Sequence, residues 1–414
     1  MGELLRRYWH PFAAVAELDD HSVKSVRLLG EELVAFRAKD GSYGLVDRQC
    51  PHRRADMMFA IVEEDGLRCS YHGWCFAPSG KCLSQPFEDV ANPQARFKDK
   101  VTIKAYPVEA RAGMLWAYMG PLPAPVVPNW EPFTWANGFQ QIVFADIPCN
   151  WFQCQENSLD PVHFEWMHRN WSSVLKGDGS YGPTHLELKF EEFEFGHIYR
   201  RVREDVGKDN PHWTIGVTAL WPNAFFLGDH IEWRVPVDDE TTLSVTWMFH
   251  RVPSNREPYV QARVPYWKGP VKDENGAWIT SHVMNQDIVA WVGQGTIADR
   301  TQEHLGRSDM GIAMLRRSFE ENMTAVAEGR EPKAVIRDPE RNRCLELPIK
   351  HKELFTSSMT LEESRRIGAS LQYRLNTPDY QHQVGQPTAV QLEYQIAMGM
   401  VPEDAIEPIT AMNA

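Results

Sequence analysis

Two short runs, Cys50-Pro51-His52 and Cys69-Ser70-Tyr71-His72, hold the residue types best suited to binding metal. Each is compact enough for one loop to aim a thiolate and an imidazole at the same small site, so that two loops would grip one centre. Two chemistries use two cysteines and two histidines. A two-iron, two-sulfide cluster takes both thiolates on one iron and both imidazoles on the other, and neutral imidazole in place of thiolate charge raises the reduction potential. A structural zinc site asks for the same four ligands. Zinc sites of this composition group Cys with Cys and His with His. Here each pair mixes one Cys with one His, so each loop can serve both irons, and the spacing favours the [2Fe-2S] cluster.

A second run, Glu156-Asn157-Ser158-Leu159-Asp160-Pro161-Val162-His163-Phe164-Glu165-Trp166-Met167-His168, places an acid before one histidine and a second histidine further on. Two neutral imidazoles and a later carboxylate make the facial set of a non-haem Fe(II) centre, with positions left open for O2. On an ideal helix the step from His163 to His168 turns a side chain about 140° beyond one full turn. Both rings reach one ion only if the helix bends at Pro161 or takes a wide turn between the histidines. Taken alone, two histidines on an aromatic-rich helix fit a packed, hydrogen-bonded role as well.

Together, Cys-Pro-His-Arg-Arg-Ala (50–55), Cys-Ser-Tyr-His-Gly-Trp (69–74) and the later Asp160, His163 and His168 resemble the oxygenase subunits of Rieske non-haem iron oxygenases. The closest look is to the phthalate and phenoxybenzoate type, which use one kind of subunit; residues 294–300 and 303–309 add to it. The resemblance implies that Cys50, His52, Cys69 and His72 hold the cluster and that His163 and His168 hold a mononuclear Fe(II). It also implies that Asp160 bridges His163 to His72 of a neighbouring subunit in a homotrimer, and that Asn157 stands near the open iron positions. Asn285-Gln286-Asp287-Ile288 resembles the family segment that supplies the third iron ligand, which makes Asp287 the choice. Asp299 is the rival, although its neighbours Arg300 and Glu303 equally suit a salt-bridge network. Arg54 departs from the family, where many members carry glycine.

The implied activity is oxygenation of a small aromatic substrate, carboxylated in many such enzymes. O2 is the co-substrate, and electrons come from a separate NAD(P)H-dependent reductase or ferredoxin. Oxidative O- or N-demethylation is the alternative outcome at the same iron. Two readings from other classes are an electron-transfer protein whose second unit only docks, and a zinc-stabilised binding protein. An arginine fork suits a substrate carboxylate, with Arg200, Arg201, Arg203 and Arg234 as candidates. Trp213, Trp221, Phe225, Phe226, Trp233, Trp247 and Phe249 are available to line an apolar pocket, about half of them facing inward by alternation.

The elements that must position these groups are also readable. Short strands from Ser22 to Asp47, turning at Lys39-Asp40-Gly41-Ser42, predict a small all-β region. Prolines 121, 123, 125, 128 and 132 forbid continuous helix or central strand, and a boundary there gives a cluster domain over 1–125 and a catalytic domain over 126–414. Alternation from Thr214 to Val252 predicts an antiparallel sheet with one buried face. Ser308 is placed to cap a helix carrying Ile312, Leu315, Phe319, Met323 and Val326. The fold class is α+β, an N-terminal β-sandwich and a catalytic domain of antiparallel sheet gripped by helices.

A formal net charge of −13 repels phosphate backbones and anionic lipid,, so nucleic acid and membrane are poor partners. No apolar run is long enough to span a bilayer and no signal-peptide pattern occurs, which leads to the expectation of a cytoplasmic protein. Seven cysteines at wide spacing suit reduced thiols or metal ligands rather than disulfides,. Cys75 and Cys82 read as buried small hydrophobes.

Overall fold

Turn chemistry and β-branched runs build the first third of the chain. The Asp40 carboxylate accepts the Ser42 amide at 2.8 Å, and the turn it closes joins Glu31–Arg37 to Tyr43–Asp47. With Val23–Leu28 and Ala105–Tyr106 these form a four-stranded antiparallel sheet. A second sheet of very short strands, Ile61–Val62, Leu67–Arg68, Cys75–Phe76 and Cys82–Ser84, shares a core with it through Val34, Phe36, Met57, Trp74 and Phe76. Cys75 and Cys82 are buried strand residues. Trp9–Ala14, Met114–Tyr118 and Val108–Arg111 make a third sheet, and residues 120–129 form neither helix nor strand. This computed structural model describes residues 2–370 and 383–402.

The rest is organised on an eight-stranded sheet. His185–Phe193, Gly196–Arg203, Val217–Leu220, Ala224–Phe226, His230–Pro236 and Thr242–Arg251 lie side by side in chain order, all antiparallel. Gly138–Ile147 pairs antiparallel with the last of these, and Tyr266–Lys268 closes the edge in parallel.

Alternation is present, but the expectation of a single buried face is corrected. Ile231, Trp233 and Val235 sit opposite Trp247, Val245 and Leu243, and this apolar face joins Trp9, Trp116 and Phe133 in one core. His230, Glu232, Arg234, Ser244 and Thr246 on the other face are buried too. The helix Trp151–Asn157 packs across that face, and the Arg234 guanidinium lies 4.8 Å from the ring of Trp291 in the helix Val283–Gly293. Period two reveals which residues share a face; it does not tell whether helices will cover the polar one.

The helix Met310–Ala327 buries Leu315 and Phe319 against Trp151, Phe152 and Trp221. Ser308 is not its cap, which corrects that expectation. The helix continues from a 3₁₀ turn, Arg307–Asp309, in which the Asp309 carboxylate accepts the Gly306 amide at 2.6 Å. A Cβ on Gly311 would stand 2.7 Å from the Leu159 carbonyl, so only glycine lets this helix abut the backbone that carries Asp160. Among the described residues no helix is long and apolar enough to cross a membrane.

Candidate metal centres

The loops after Gln49 and Arg68 are built alike. In the first, the Cys50 amide donates to the Ala55 carbonyl at 2.8 Å and the Arg54 amide to the Cys50 carbonyl at 2.8 Å. In the second, the Cys69 amide donates to the Trp74 carbonyl at 2.8 Å and the Gly73 amide to the Cys69 carbonyl at 3.0 Å. Both hairpins aim a Cys and a His at one place. The thiols of Cys50 and Cys69 are buried, and the rings of His52 and His72 meet edge to face, 4.4 Å between centroids. Trp74 stacks on His52 at 4.3 Å.

Two observations test whether this set fits a cluster. His52 Nδ1 is buried with no hydrogen-bond partner, a position that a buried polar atom rarely holds unless something else satisfies it. Burial, with Cys69 adding to it, pushes the Cys50 thiol up to about 11, while the amides of His52 and Arg53 donate toward the sulfur. A thiolate there needs a cation beside it, and loop amides aimed at a ligand sulfur are the hydrogen bonds that tune cluster potentials. The donor set fits two thiolates and two imidazoles.

The equivalence of the loops explains the departure at position 54. Arg54 has φ +61° where Gly73 has φ +74°; both occupy the left-handed step that closes the loop. An L-residue there costs about 1–2 kcal/mol, and glycine returns about 0.5–1 kcal/mol of that through unfolded-chain entropy. We expect Arg54→Gly to raise stability by about 0.5–1 kcal/mol, read from urea unfolding of the loaded protein; an unchanged or lower midpoint would refute the account.

In the second region Asn150 caps the helix Trp151–Asn157 by accepting the Phe152 amide at 2.9 Å. The chain breaks at Pro161, where the Asp160 carboxylate accepts the Val162 amide at 2.9 Å. It re-enters helix at His163–Glu165 and at once widens into a π-helix, Trp166–Trp171. That wide turn brings the two rings together, with centroids 5.1 Å apart. From the helix Val283–Gly293, Asp287 Oδ1 comes within 3.6 Å of His163 Nε2 and 3.2 Å of His168 Nε2. One ligand atom from each of the three lies within 4.8 Å of the other two.

The ring nitrogens face two ways. Nδ1 of His163 lies 3.6 Å from the Asp160 carboxylate, and Nδ1 of His168 donates to Gln286 Oε1 at 3.0 Å. Gln286 cannot turn over, because its amide nitrogen donates to Ser172 Oγ at 2.7 Å and to the Thr280 carbonyl at 2.9 Å. Its oxygen therefore fixes the tautomer of His168 and leaves the Nε2 lone pair for a metal. His168 Nε2 is buried and unbonded despite its nearness to Asp287. Burial lowers the pKa of His168, but the charge of Asp287 outweighs it and holds the ring above its usual range: the pocket favours positive charge. The donors fit a two-histidine, one-carboxylate Fe(II) site.

Asn157 donates to Asp287 Oδ1 at 3.3 Å and so stands beside the triad. Asp299 does not join it. It is exposed, and its carboxylate is taken by the Thr301 amide at 3.1 Å and hydroxyl at 2.6 Å. Its neighbours instead form the ion-pair network Arg300–Glu156–Arg316–Glu303.

The expected apolar lining is corrected. Phe226, Trp233, Trp247 and Phe249 pack into the core shared with the N-terminal sheet, and Trp221 and Phe225 pack around Phe319. Polar sheet residues face the triad instead; the charge of Glu232 reaches His168. Of the four arginines, Arg200 is held by Glu191 and the Trp213 carbonyl, Arg203 by Asp205 and Arg234 by Glu232. Arg201 lies 4.8 Å from the ring of Phe164. Gln286, Phe164 and Glu232 were not singled out by sequence, because amides and rings beside a ligand carry no spacing rule.

Residues 8–107 match the family model described as the Rieske [2Fe-2S] domain, and residues 221–342 match the LigXa C-terminal domain like model. The chain is 58% identical over 399 residues to the 5,5'-dehydrodivanillate O-demethylase oxygenase subunit of Sphingobium sp. (strain NBRC 103272 / SYK-6), covering 96% of this chain and 93% of that one. It is 33% identical over 361 residues to the phenoxybenzoate dioxygenase subunit alpha of Ectopseudomonas oleovorans, covering 81% and 84%. Among solved structures it shares the fold of NdmA from Pseudomonas putida CBB5, with TM-score 0.54 and 21% identity over 79% of this chain and 93% of that one. With two loops shaped for a cluster, and relatives matched over most of its length, this chain belongs to the Rieske non-haem iron oxygenases, as a terminal oxygenase subunit that uses a [2Fe-2S] cluster, a mononuclear iron and O2.

Proposed function

We propose that this oxygenase removes the methyl group from a methoxylated aromatic acid. The observation that carries the reading is the 58% identity, over nearly the whole chain, to a subunit named for O-demethylation of 5,5'-dehydrodivanillate. The balanced reaction takes ArOCH3, O2, two electrons and two protons to ArOH, formaldehyde and water. A separate NAD(P)H-dependent reductase or ferredoxin supplies the electrons.

In this reading Cys50 and Cys69 hold one cluster iron and His52 and His72 the other, while His163, His168 and Asp287 hold the mononuclear iron. The bound metals supply electron storage and oxygen activation. The chain's own residues orient and shield. Gln286 sets the tautomer of His168, Asn157 steadies Asp287, and the closed sheet face keeps bulk water from the triad. The Asp160 side chain is 28% exposed on the single chain. In this reading that exposed edge meets His72 of the partner subunit in a homotrimer. The cluster domain spans 1–125 and the catalytic domain 126–414, and the assembly works in the cytoplasm.

The test is product identity. Loaded protein, a surrogate reductase, NADH and a panel of methoxylated aromatic acids including 5,5'-dehydrodivanillate should yield one formaldehyde per phenol formed. A ring diol without formaldehyde would overturn the reading in favour of ring dioxygenation. Replacing Gln286 by Leu frees the His168 ring, so iron affinity should weaken about 10- to 100-fold; unchanged iron retention against a chelator would show that the amide has no such role.

A further inference from the structure

The stretch that carries the two histidines also carries a second pair of polar side chains at the same interval. His163 and His168 reach toward Asp287; Glu165 and Asn170, each two residues further on, are 5% and 2% exposed and bond elsewhere. Both pairs are five residues apart. In an α-helix that step carries a side chain about 140° past a full turn, whereas in a π turn residue i+5 comes back over residue i. Trp166–Trp171 is such a turn. π turns are rare and short, so this one needs holding.

The partners of the second pair lie on one short stretch of chain. Glu165 Oε2 accepts the His185 amide and the His185 Nδ1 proton, each at 2.7 Å, and Asn170 Oδ1 accepts the Gly182 amide at 2.8 Å. Residues 178–184 form neither helix nor strand, and His185 begins the edge strand of the eight-stranded sheet. The stretch lies tight on the π-helix, where a Cβ on Gly182 would stand 2.6 Å from Arg169 Cγ. If the turn tightened to α geometry, Glu165 and Asn170 would point about 140° apart and could not share these neighbours. The same tightening would take His163 and His168 off a common ion.

We propose that Glu165 and Asn170 are positioning residues: by accepting the amides of His185 and Gly182 they lock the π turn open, so that His163 and His168 already point at one site when iron arrives. This rests on the assignment of His163, His168 and Asp287 to the iron. A ligand set held in advance by buried bonds behind it leaves less to be ordered on binding. Glu165→Leu and Asn170→Leu remove the acceptors at similar volume, whereas Glu165→Gln and Asn170→Asp keep them. Affinity for the mononuclear iron, measured on the full chain by competition with a chelator, falls about 10- to 100-fold in the two Leu variants, the range for groups that orient metal ligands from behind. It stays at the wild-type value in Glu165→Gln and Asn170→Asp, and cluster absorption is unchanged in all four. Should a Leu variant fail to fold, Glu165→Ala or Asn170→Ala replaces it. Equal weakening in the acceptor-keeping variants, or a lowered Tm with unchanged iron affinity, overturns the lock. If the Leu variants hold iron as wild type does while His168→Ala loses it, the lock fails and the ligand assignment stands. If His168→Ala holds it too, the assignment falls and the lock with it.

Discussion

Purified His168→Ala protein will keep the visible absorption of its cluster and lose its remaining iron, so that metal analysis falls from about three irons per chain to about two, with turnover at background. The reasoning is geometric. His168 Nε2 is the ligand atom nearest Asp287, at 3.2 Å, and its other nitrogen is already committed to Gln286. Removing the ring leaves one imidazole and one carboxylate, too few to hold Fe(II) in a site open to O2. The cluster loops close on their own backbone bonds, so they should not register the change. Retention of a third iron together with turnover would mean that the metal sits elsewhere.

The second large effect is expected at Asp160. Asn keeps the size and the acceptor for the Val162 amide but removes the charge that faces His163 Nδ1 at 3.6 Å. Burial disfavours the Asp160 carboxylate, yet hydrogen bonding and the charge of His163 outweigh that and hold it below the usual range, so at neutral pH the group is an anion. If it links His163 to a cluster imidazole of the partner subunit, Asp160→Asn should retain both inorganic centres and lose about 10- to 100-fold in rate. The deciding readout is the rate at which a pre-reduced cluster is reoxidised when substrate and O2 are mixed in. A slowed step with full iron content marks a positioning role in electron transfer. Normal reoxidation with lowered activity would place the defect elsewhere, and the bridging role would be abandoned.

How far the chain could be read in advance follows from what each feature demands of the residues. Cys50, His52, Cys69 and His72 could be proposed as ligands from sequence because a cluster dictates residue types within single loops. His163 and His168 needed a bend or a wide turn, and Pro161 and the π-helix at Trp166–Trp171 are both present. Asp287 is remote in sequence and was chosen by resemblance; no local spacing distinguishes it from Asp299, whose exposure only the fold reveals. The small sheets and the helix Met310–Ala327 followed from periodicity, which depends on neighbours. The polar face of the large sheet did not, because whether His230, Glu232 and Arg234 meet water or helices depends on distant segments.

The two matched loops have a thermodynamic consequence. The sheet that carries them has strands of two or three residues, too short to persist through their own pairing. With Cys50, His52, Cys69 and His72 holding it as proposed, a bound cluster would tie residues 50–55 to residues 69–74 as a covalent staple does, closing the intervening chain and removing freedom from the unfolded state. The inorganic core is therefore scaffold as well as wire: formation of this part of the molecule and capacity to carry an electron arise in a single event.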